Sequence, residues 1–149
     1  MANTSLQQTA VASLEVGLAF LSFLRSEVRR ATSANISMPE FRTLHLLAKN
    51  PDRSLGEIAD DLGVSAPALS KTVHHLVQGG LVERKEDAAD RRRIAVRLTP
   101  TGKRLMAQTR TQLETAMQGR LSKLAAKERE QILPALHRLQ AVLAQEVAA

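Results

Sequence analysis

Two short helix patterns separated by one tight turn constrain the fold of this chain more than any other feature. Ser54 and Glu57 have the spacing of a capping box, in which the serine oxygen and the glutamate carboxylate satisfy free backbone amides at a helix start. Gly63 stands where a helix C-cap is expected, and Ser65 is a plausible N-cap for a second helix. Residues 55–76 therefore predict a helix-turn-helix, although an ordinary pair of packed helices has the same local pattern. The side chains expected to fill the core between the two helices are Ile58, Leu62, Val64 and Leu69.

A β-hairpin is predicted directly after this helix pair. Residues 81–84 and 94–98 have strand-like composition, the second with alternating apolar and polar residues, and the charged loop 85–93 joins them. Thr99 and Pro100 then provide an N-cap and a first-turn proline for a helix of about six turns. This order of elements predicts a mainly α fold with one small β-hairpin.

Leucine-rich amphipathic patterns flank the central region on both sides. The leucines recur at three- and four-residue spacings, which predicts helices with one apolar face. Because such seams commonly bury against a partner, we expect 6–31 and 100–147 to contain dimerisation helices, with intramolecular packing as the alternative. The expected interface residues are Leu14, Leu18, Leu21, Leu136, Leu139 and Leu143. Pro134 lies inside the last pattern, and we expect it to kink that helix or to mark a start later than Lys127.

Composition and length exclude several classes of protein. The 149 residues suit a single-domain subunit, 1–149, in which a second capping box at Ser37 and Glu40 begins the central region 37–99. The absence of cysteine excludes disulfides, thiolate zinc sites and cysteine nucleophiles. With three phenylalanines and no Trp or Tyr, single-strand binding by base stacking is disfavoured. No unbroken apolar run approaches the roughly 20 residues that cross a bilayer, so a soluble cytoplasmic protein is expected.

Enzyme chemistry has little support in the sequence. Gly102-Lys103-Arg104 is not a phosphate-binding loop, since the other required residues of that motif are missing. The four histidines show no metal-ligand or catalytic spacing. We therefore expect a non-enzyme without a metal or cofactor.

The outward positions of the second helix of the pair form the first candidate binding surface. No acidic residue occurs from Ser65 to Gln78, and the chain as a whole carries a net charge of +6. Small residues early in the helix permit close approach to a groove floor, and helix N-termini attract phosphate. The alternative is a solvated face that lacks carboxylates by chance. The candidate residues are Ser65, Pro67, Ala68, Ser70, Lys71, His74 and His75.

The arginine-rich hairpin loop is the second candidate surface. An arginine projected from such a loop can enter the narrow minor groove of DNA while its neighbours contact phosphates, and Asp90 can fix the direction of one arginine through a bidentate pair. A solubilising charged turn is the alternative. The candidate residues are Arg84, Asp90, Arg91, Arg92 and Arg93.

These motifs together resemble the winged-helix transcription regulators of the multiple-antibiotic-resistance regulator (MarR) family. The pattern of an Asp, any residue, an Arg, five residues and Leu-Thr is met by Asp90, Arg92, Leu98 and Thr99, and the resemblance covers nearly the whole chain. It implies a winged helix-turn-helix flanked by N- and C-terminal dimerisation helices. Arg92 is then the wing-tip arginine in the minor groove, and the helix from Ser65 to Gln78 lies in the major groove.

The resemblance also implies a function. It indicates a homodimeric repressor that binds a pseudo-palindromic site on double-stranded DNA and releases it in response to a small-molecule effector. The sequence does not indicate the effector, the operator or the target genes. His75 departs from the family pattern, in which arginine is common, and Ala88 and Ala89 replace residues often found at the loop start. A winged-helix module for protein interaction or for non-specific nucleic-acid binding is the alternative function.

Overall fold

The computed structural model describes residues 5–32, 36–86 and 94–145 and confirms the mainly α class with a small β wing. Apart from Glu86 and Gln145, whose backbone alone is described, these ranges include side chains. The elements are α1 (Leu6–Ala31), α2 (Met38–Lys49), β1 (Arg53–Ser54), α3 (Leu55–Leu62), α4 (Ala66–Gln78), β2 (Val82–Glu86), β3 (Ile94–Leu98), α5 (Pro100–Leu121) and α6 (Ala126–Gln145).

Local capping determines where the early helices begin. The Ser37 Oγ accepts from the Glu40 N–H, and the Glu40 carboxylate accepts from the Ser37 N–H at 2.8 Å, so α2 starts at the predicted capping box. Ser54 and Glu57 form the same reciprocal pair at the start of α3. Both helix starts therefore follow from sequence motifs that act within four residues.

The sheet has three antiparallel strands in the order β1-β3-β2, one more than the sequence predicted. β1 is only Arg53 and Ser54, and it exists because it pairs with Val96 and Ala95 of β3. Two residues carry no period-two pattern, so this strand depends on tertiary pairing. The hairpin strand β2 also runs two residues further than expected, to Glu86, where it faces Ile94.

The core lies between α2, α3, α4 and the sheet. Leu44, Ile58, Val73 and Val96 are fully buried and belong to one cluster. Ile58 and Leu69 fill the space between the paired helices as predicted, whereas Val64 is exposed. Val64 lies in the turn after Gly63, outside the apolar face of either helix, which explains the error.

The start of α5 is locked onto the end of the helix-turn-helix. The Thr99 hydroxyl donates to the Gly80 carbonyl at 2.7 Å and accepts from the Gly102 N–H at 3.0 Å. Gly102 itself packs so close to the Leu81 backbone that a Cβ atom there would lie 2.1 Å from the Leu81 carbonyl oxygen. The long helix is thus joined rigidly to the turn that ends α4.

The two terminal helices differ in how they pack. In α1, Val28 is buried, and Arg120 of α5 stacks over the Phe23 ring at 4.4 Å and bonds Glu27 at 3.3 Å. By contrast, no described side chain of α6 is buried. α6 starts at Ala126 and continues through Pro134, so the expectation of a start later than Lys127 is wrong.

The leucine seams of both helices face solvent in the single chain. Leu14, the most exposed of the six predicted interface residues, is 71% exposed, and Leu139, the least exposed, is 36% exposed. The intramolecular packing that the sequence left open does not occur in the described residues. Exposed apolar faces of this kind commonly mark contact surfaces.

α1 is also long and apolar enough, by length and composition alone, to cross a membrane. Its most apolar 18-residue window has a mean hydropathy of 1.3 and no buried residue. The length of the unbroken apolar runs in the sequence does not reveal this average. Among the described helices, α1 is the one that passes this test.

Candidate nucleic-acid interface

The face of α4 opposite the core carries the first set of candidate residues. Leu69, Val73 and Leu76 are buried and seat the helix on the core. On the other side, every residue proposed from the sequence is exposed, and the first turn contains no acid. The Ser65 Oγ caps the helix by accepting from the Ala68 N–H at 3.4 Å. This places the helix N-terminus, with its free amides and positive dipole end, at the molecular surface.

His75 lies at the edge of this surface, near the start of α2. Its Nδ1 is 4.0 Å from the Glu40 Oε1, and its ring is tilted at 52° to that of His74. Protonation of His75 would convert the contact with Glu40 into an ion pair. The structure thus gives this histidine an intramolecular neighbour that the sequence did not reveal.

The wing carries the second set only in part. Arg84 is exposed on β2, opposite Val96. Asp90, Arg91, Arg92 and Arg93 lie outside the described residues. At the base of the wing, the Arg97 Nε donates to the Glu83 Oε1 at 2.6 Å, and these residues face each other in the strand register. The two strands that carry the loop are therefore joined by side chains as well as by backbone.

The turn between α3 and α4 has a regular left-handed geometry. Gly63 has φ 64° and ψ 39°, in the region that glycine adopts without a Cβ penalty. The Gly63 N–H donates to the Asp60 carbonyl at 3.1 Å and the Val64 N–H donates to the Ala59 carbonyl at 3.0 Å. This confirms the C-cap predicted at Gly63.

Two arginines outside the helix pair contact the end of α3, and the sequence analysis missed both. The Arg42 Nη2 of α2 donates to the Leu62 carbonyl at 3.0 Å, and Arg53 of β1 pairs with the Asp61 carboxylate. The available signal was the last turn of α3, which holds Asp60 and Asp61 but no basic residue. Carboxylates are unfavourable at the negative end of a helix dipole, so compensating cations are expected nearby.

A cavity of about 850 Å³ opens between α2, α5 and the base of the wing. Its floor is apolar, with Leu47, Leu98 and Met106, and its rim carries Lys49, Lys103 and Arg110. Desolvation lowers the pKa of His45 in this wall below its usual 6.5, and the positive charges of Lys49 and Arg110 lower it further. The cavity thus combines an apolar floor with a predominantly basic rim.

No group of three or more potential metal-ligating side chains occurs among the described residues. The four histidines lie in three different parts of the described structure. His45 lies in the cavity wall, His74 and His75 lie on α4, and His137 lies on the exposed helix α6.

Comparison with known families and structures supports this interpretation of the architecture. Residues 34–93, which contain α2, the helix pair and most of the wing, match the model of the MarR family. RV1404 from Mycobacterium tuberculosis is 24% identical to this chain, with a TM-score of 0.85 and coverage of 96% of this chain and 97% of that one.

Two further solved structures are similar. Streptococcus pneumoniae FabT, in complex with DNA, is 18% identical with a TM-score of 0.76, covering 95% of this chain and 99% of that one. NadR, in complex with 4-hydroxyphenylacetate, is 23% identical with a TM-score of 0.72, covering 92% and 90% respectively. At these identities the similarity establishes a shared fold over almost the full length of each chain.

Proposed function

We propose that this chain, whose residues 34–93 match the model of the MarR family, is a transcription regulator that binds a specific sequence of double-stranded DNA. The observation that carries the proposal is the exposed, acid-free face of α4 beside the basic wing. Ser65, Pro67, Ala68, Ser70, Lys71, His74 and His75 would face the major groove. Arg84, Arg91, Arg92 and Arg93 would contact the minor groove and its phosphates, with Asp90 supporting Arg92.

The shape of B-form DNA suits this surface. Its major groove is wide enough to admit a helix, whereas the major groove of A-form RNA is too deep and narrow to be read in this way. Ser70 and Lys71 are able to donate to base edges or phosphates, and the small first turn of α4 permits close approach. Similar architecture occurs in FabT, which has been crystallised with DNA.

The proposal includes a homodimer. The seam of Leu14, Leu18, Leu21, Leu136, Leu139 and Leu143 would be covered by the same seam of a second copy, with residues 6–31 and 100–147 as dimerisation helices. Because no described side chain of α6 is buried in one chain, burial between subunits supplies the missing driving force for this helix. The two winged helix-turn-helix units of such a dimer, about 34 Å or one turn of DNA apart, would bind the two halves of a pseudo-palindromic site.

A small-molecule effector belongs to the same proposal. NadR is a similar structure in complex with 4-hydroxyphenylacetate, and the 850 Å³ cavity in this chain lies between α2, α5 and the base of the wing. A ligand that binds one spacing of the two winged helix-turn-helix units better than another would shift the population and thereby DNA affinity. Repression by operator occupancy, in the cytoplasm and without enzymatic activity, is the mode we propose.

The decisive experiment compares two duplexes at two salt concentrations. One duplex is selected by the purified protein from a randomised pool, the other is a shuffled version, and binding is followed by fluorescence anisotropy. A preference of ~10³-fold or more supports a specific regulator. Equal and steeply salt-dependent binding would indicate a non-specific nucleic-acid binder, and no binding at low salt would favour the protein-interaction alternative.

A further inference from the structure

The first turn of α4 is the part of the reading helix with the least support from the core. Residues 65–68 are all exposed, and the buried anchors of α4 begin only at Leu69. The position of this turn is therefore set by the chain that precedes it, which is the turn at Gly63 and the last turn of α3. Whatever fixes the end of α3 also fixes the end of α4 that would enter the groove.

The turn at Gly63 stabilises the end of α3 only in part. The turn uses the carbonyl oxygens of Ala59 and Asp60, but the Leu62 carbonyl has no acceptor role within it. The last turn also carries two carboxylates, Asp60 and Asp61, at the negative end of the helix dipole. An eight-residue helix with such an end is marginal without tertiary support.

Two guanidinium groups from other elements supply that support. Arg42, exposed on α2, donates to the Leu62 carbonyl at 3.0 Å, and Arg53 of β1 pairs with Asp61. One group completes the hydrogen bonding of the helix end, and the other places a positive charge beside it. Together they connect the end of α3 to α2 on one side and to the wing sheet on the other.

We propose that Arg42 and Arg53 are positioning residues that hold the end of α3 and thereby fix the first turn of α4 in the orientation for reading DNA. The proposal rests on the proposed DNA-binding function, but its structural part is independent of that function. The Arg42 contact is solvent-exposed, and the Arg53 and Asp61 side chains are 29% and 36% exposed, so we expect the effect of both contacts to be mainly local. Neither side chain needs to contact DNA for this role.

Replacement of Asp61 separates positioning from simple electrostatics. Asp61→Ala removes a negative charge near the proposed DNA surface, raises helix propensity and removes an unfavourable charge from a helix end. Each of these effects predicts unchanged or tighter DNA binding. Loss of the Arg53 contact predicts instead a smaller ratio between the affinities for the selected and the shuffled duplex. Asp60→Ala is the matched control, since Asp60 has no ion pair with a described residue.

The test measures the ratio of affinities for the selected and shuffled duplexes. For Asp61→Ala and Arg42→Met we expect this ratio to fall about tenfold, as when one base contact is misplaced, with partial rescue in Arg42→Lys. Asp60→Ala and the charge-matched control Arg29→Met should keep the wild-type ratio. An unchanged or larger ratio in Asp61→Ala would overturn the proposal. Equal decreases of the ratio in Arg42→Met and Arg29→Met would also overturn it.

Amide hydrogen exchange of the free protein provides the second readout. We expect faster exchange at Gly63 and Val64 in Arg42→Met and Asp61→Ala, with core amides such as that of Val73 unchanged. If the wild type prefers no duplex, the proposed function fails, while the exchange data still decide whether the two arginines hold the turn. Exchange rates identical to those of the wild type would refute the positioning role regardless of DNA binding.

Discussion

His45 is a residue whose ionisation is altered by its place in the fold. Desolvation in the cavity wall, aided by the charges of Lys49 and Arg110, lowers its pKa below 6.5. The unfolded chain therefore binds a proton at this site more readily than the native protein does. By linkage, the free energy of unfolding falls as the pH decreases through 6.5 towards the lowered native pKa.

Replacement of this histidine should flatten the pH dependence. In His45→Gln, we expect the urea midpoint to fall less than in the wild type between about pH 7.5 and about pH 5, because the protonation penalty is removed. NMR titration of the His45 ring gives the native pKa directly. Parallel pH profiles in the two proteins would contradict the assignment of this effect to His45.

Arg92 is the residue on which the wing prediction depends most. From its position after Asp90 and before Leu98-Thr99, we expect Arg92→Ala to weaken operator binding by on the order of 1–3 kcal/mol, since an arginine would be lost from the minor groove. The melting temperature should stay nearly unchanged, because the sequence predicts a charged hairpin loop at Arg92 and not a core position. Arg29→Ala, which removes the same charge from α1, is the control, and equal affinity losses in both variants would reject the wing-tip role.

At the scale of elements, the junction between the helix-turn-helix and α5 shows how a sequence motif acquires a packing role. Thr99 and Pro100 were predicted to start a helix, and they do. The tertiary structure adds that Thr99 bonds the Gly80 carbonyl and that Gly102 packs against the Leu81 backbone. Only glycine permits this approach of α5, so the angle between the long helix and the helix-turn-helix depends on one missing side chain.

Two glycines of α5 provide a matched pair of substitutions. Gly102→Ala should destabilise the protein by roughly 1–3 kcal/mol, because its Cβ would overlap the Leu81 carbonyl oxygen. Gly119→Ala, with open space around the added methyl group, should stabilise it by roughly 0.5–1 kcal/mol through helix propensity. Urea unfolding measures both changes in stability. A Gly102→Ala protein as stable as the wild type would show that the backbone at this junction shifts to accommodate the added Cβ atom.

At the scale of the whole molecule, the described chain is incomplete as a folding unit. Its core lies between α2, α3, α4 and the sheet, while α6 and most of α1 expose leucines to solvent. In the proposed homodimer, a second copy would bring the same seam and cover both helices at once. The same contact would bury the apolar residues that give α1 its high mean hydropathy.

A charge in this seam should separate the subunits. In Leu139→Asp, we expect monomers by sedimentation velocity and loss of cooperative half-site binding, because a buried unpaired carboxylate is costly. Ala141→Asp places the same charge on the opposite side of the same helix, away from the leucine seam, and should remain dimeric. A folded dimer in Leu139→Asp would refute this interface. Recovery of the wild-type protein in the membrane fraction would favour insertion of α1 into a membrane.

Elements whose causes are local could be predicted from the sequence. Capping boxes at Ser37 and Ser54, the glycine turn at Gly63 and the Thr99-Pro100 start each act within a few residues, and the structure confirms them. The exposed face of α4 was readable for the same reason, since helical periodicity separates it from Leu69 and Val73. The roles in DNA binding assigned to this face and to Arg92 stay predictions.

Features that join distant parts of the chain could be identified only from the tertiary structure. β1 has no pattern of its own and exists through pairing with Val96, 43 residues away from Arg53 by their numbers. Arg42 and Arg53 look like ordinary surface cations until α3 is seen to end beside them. Such contacts depend on how helices and strands are placed in three dimensions, and hydrophobic period and capping motifs carry no information about that placement.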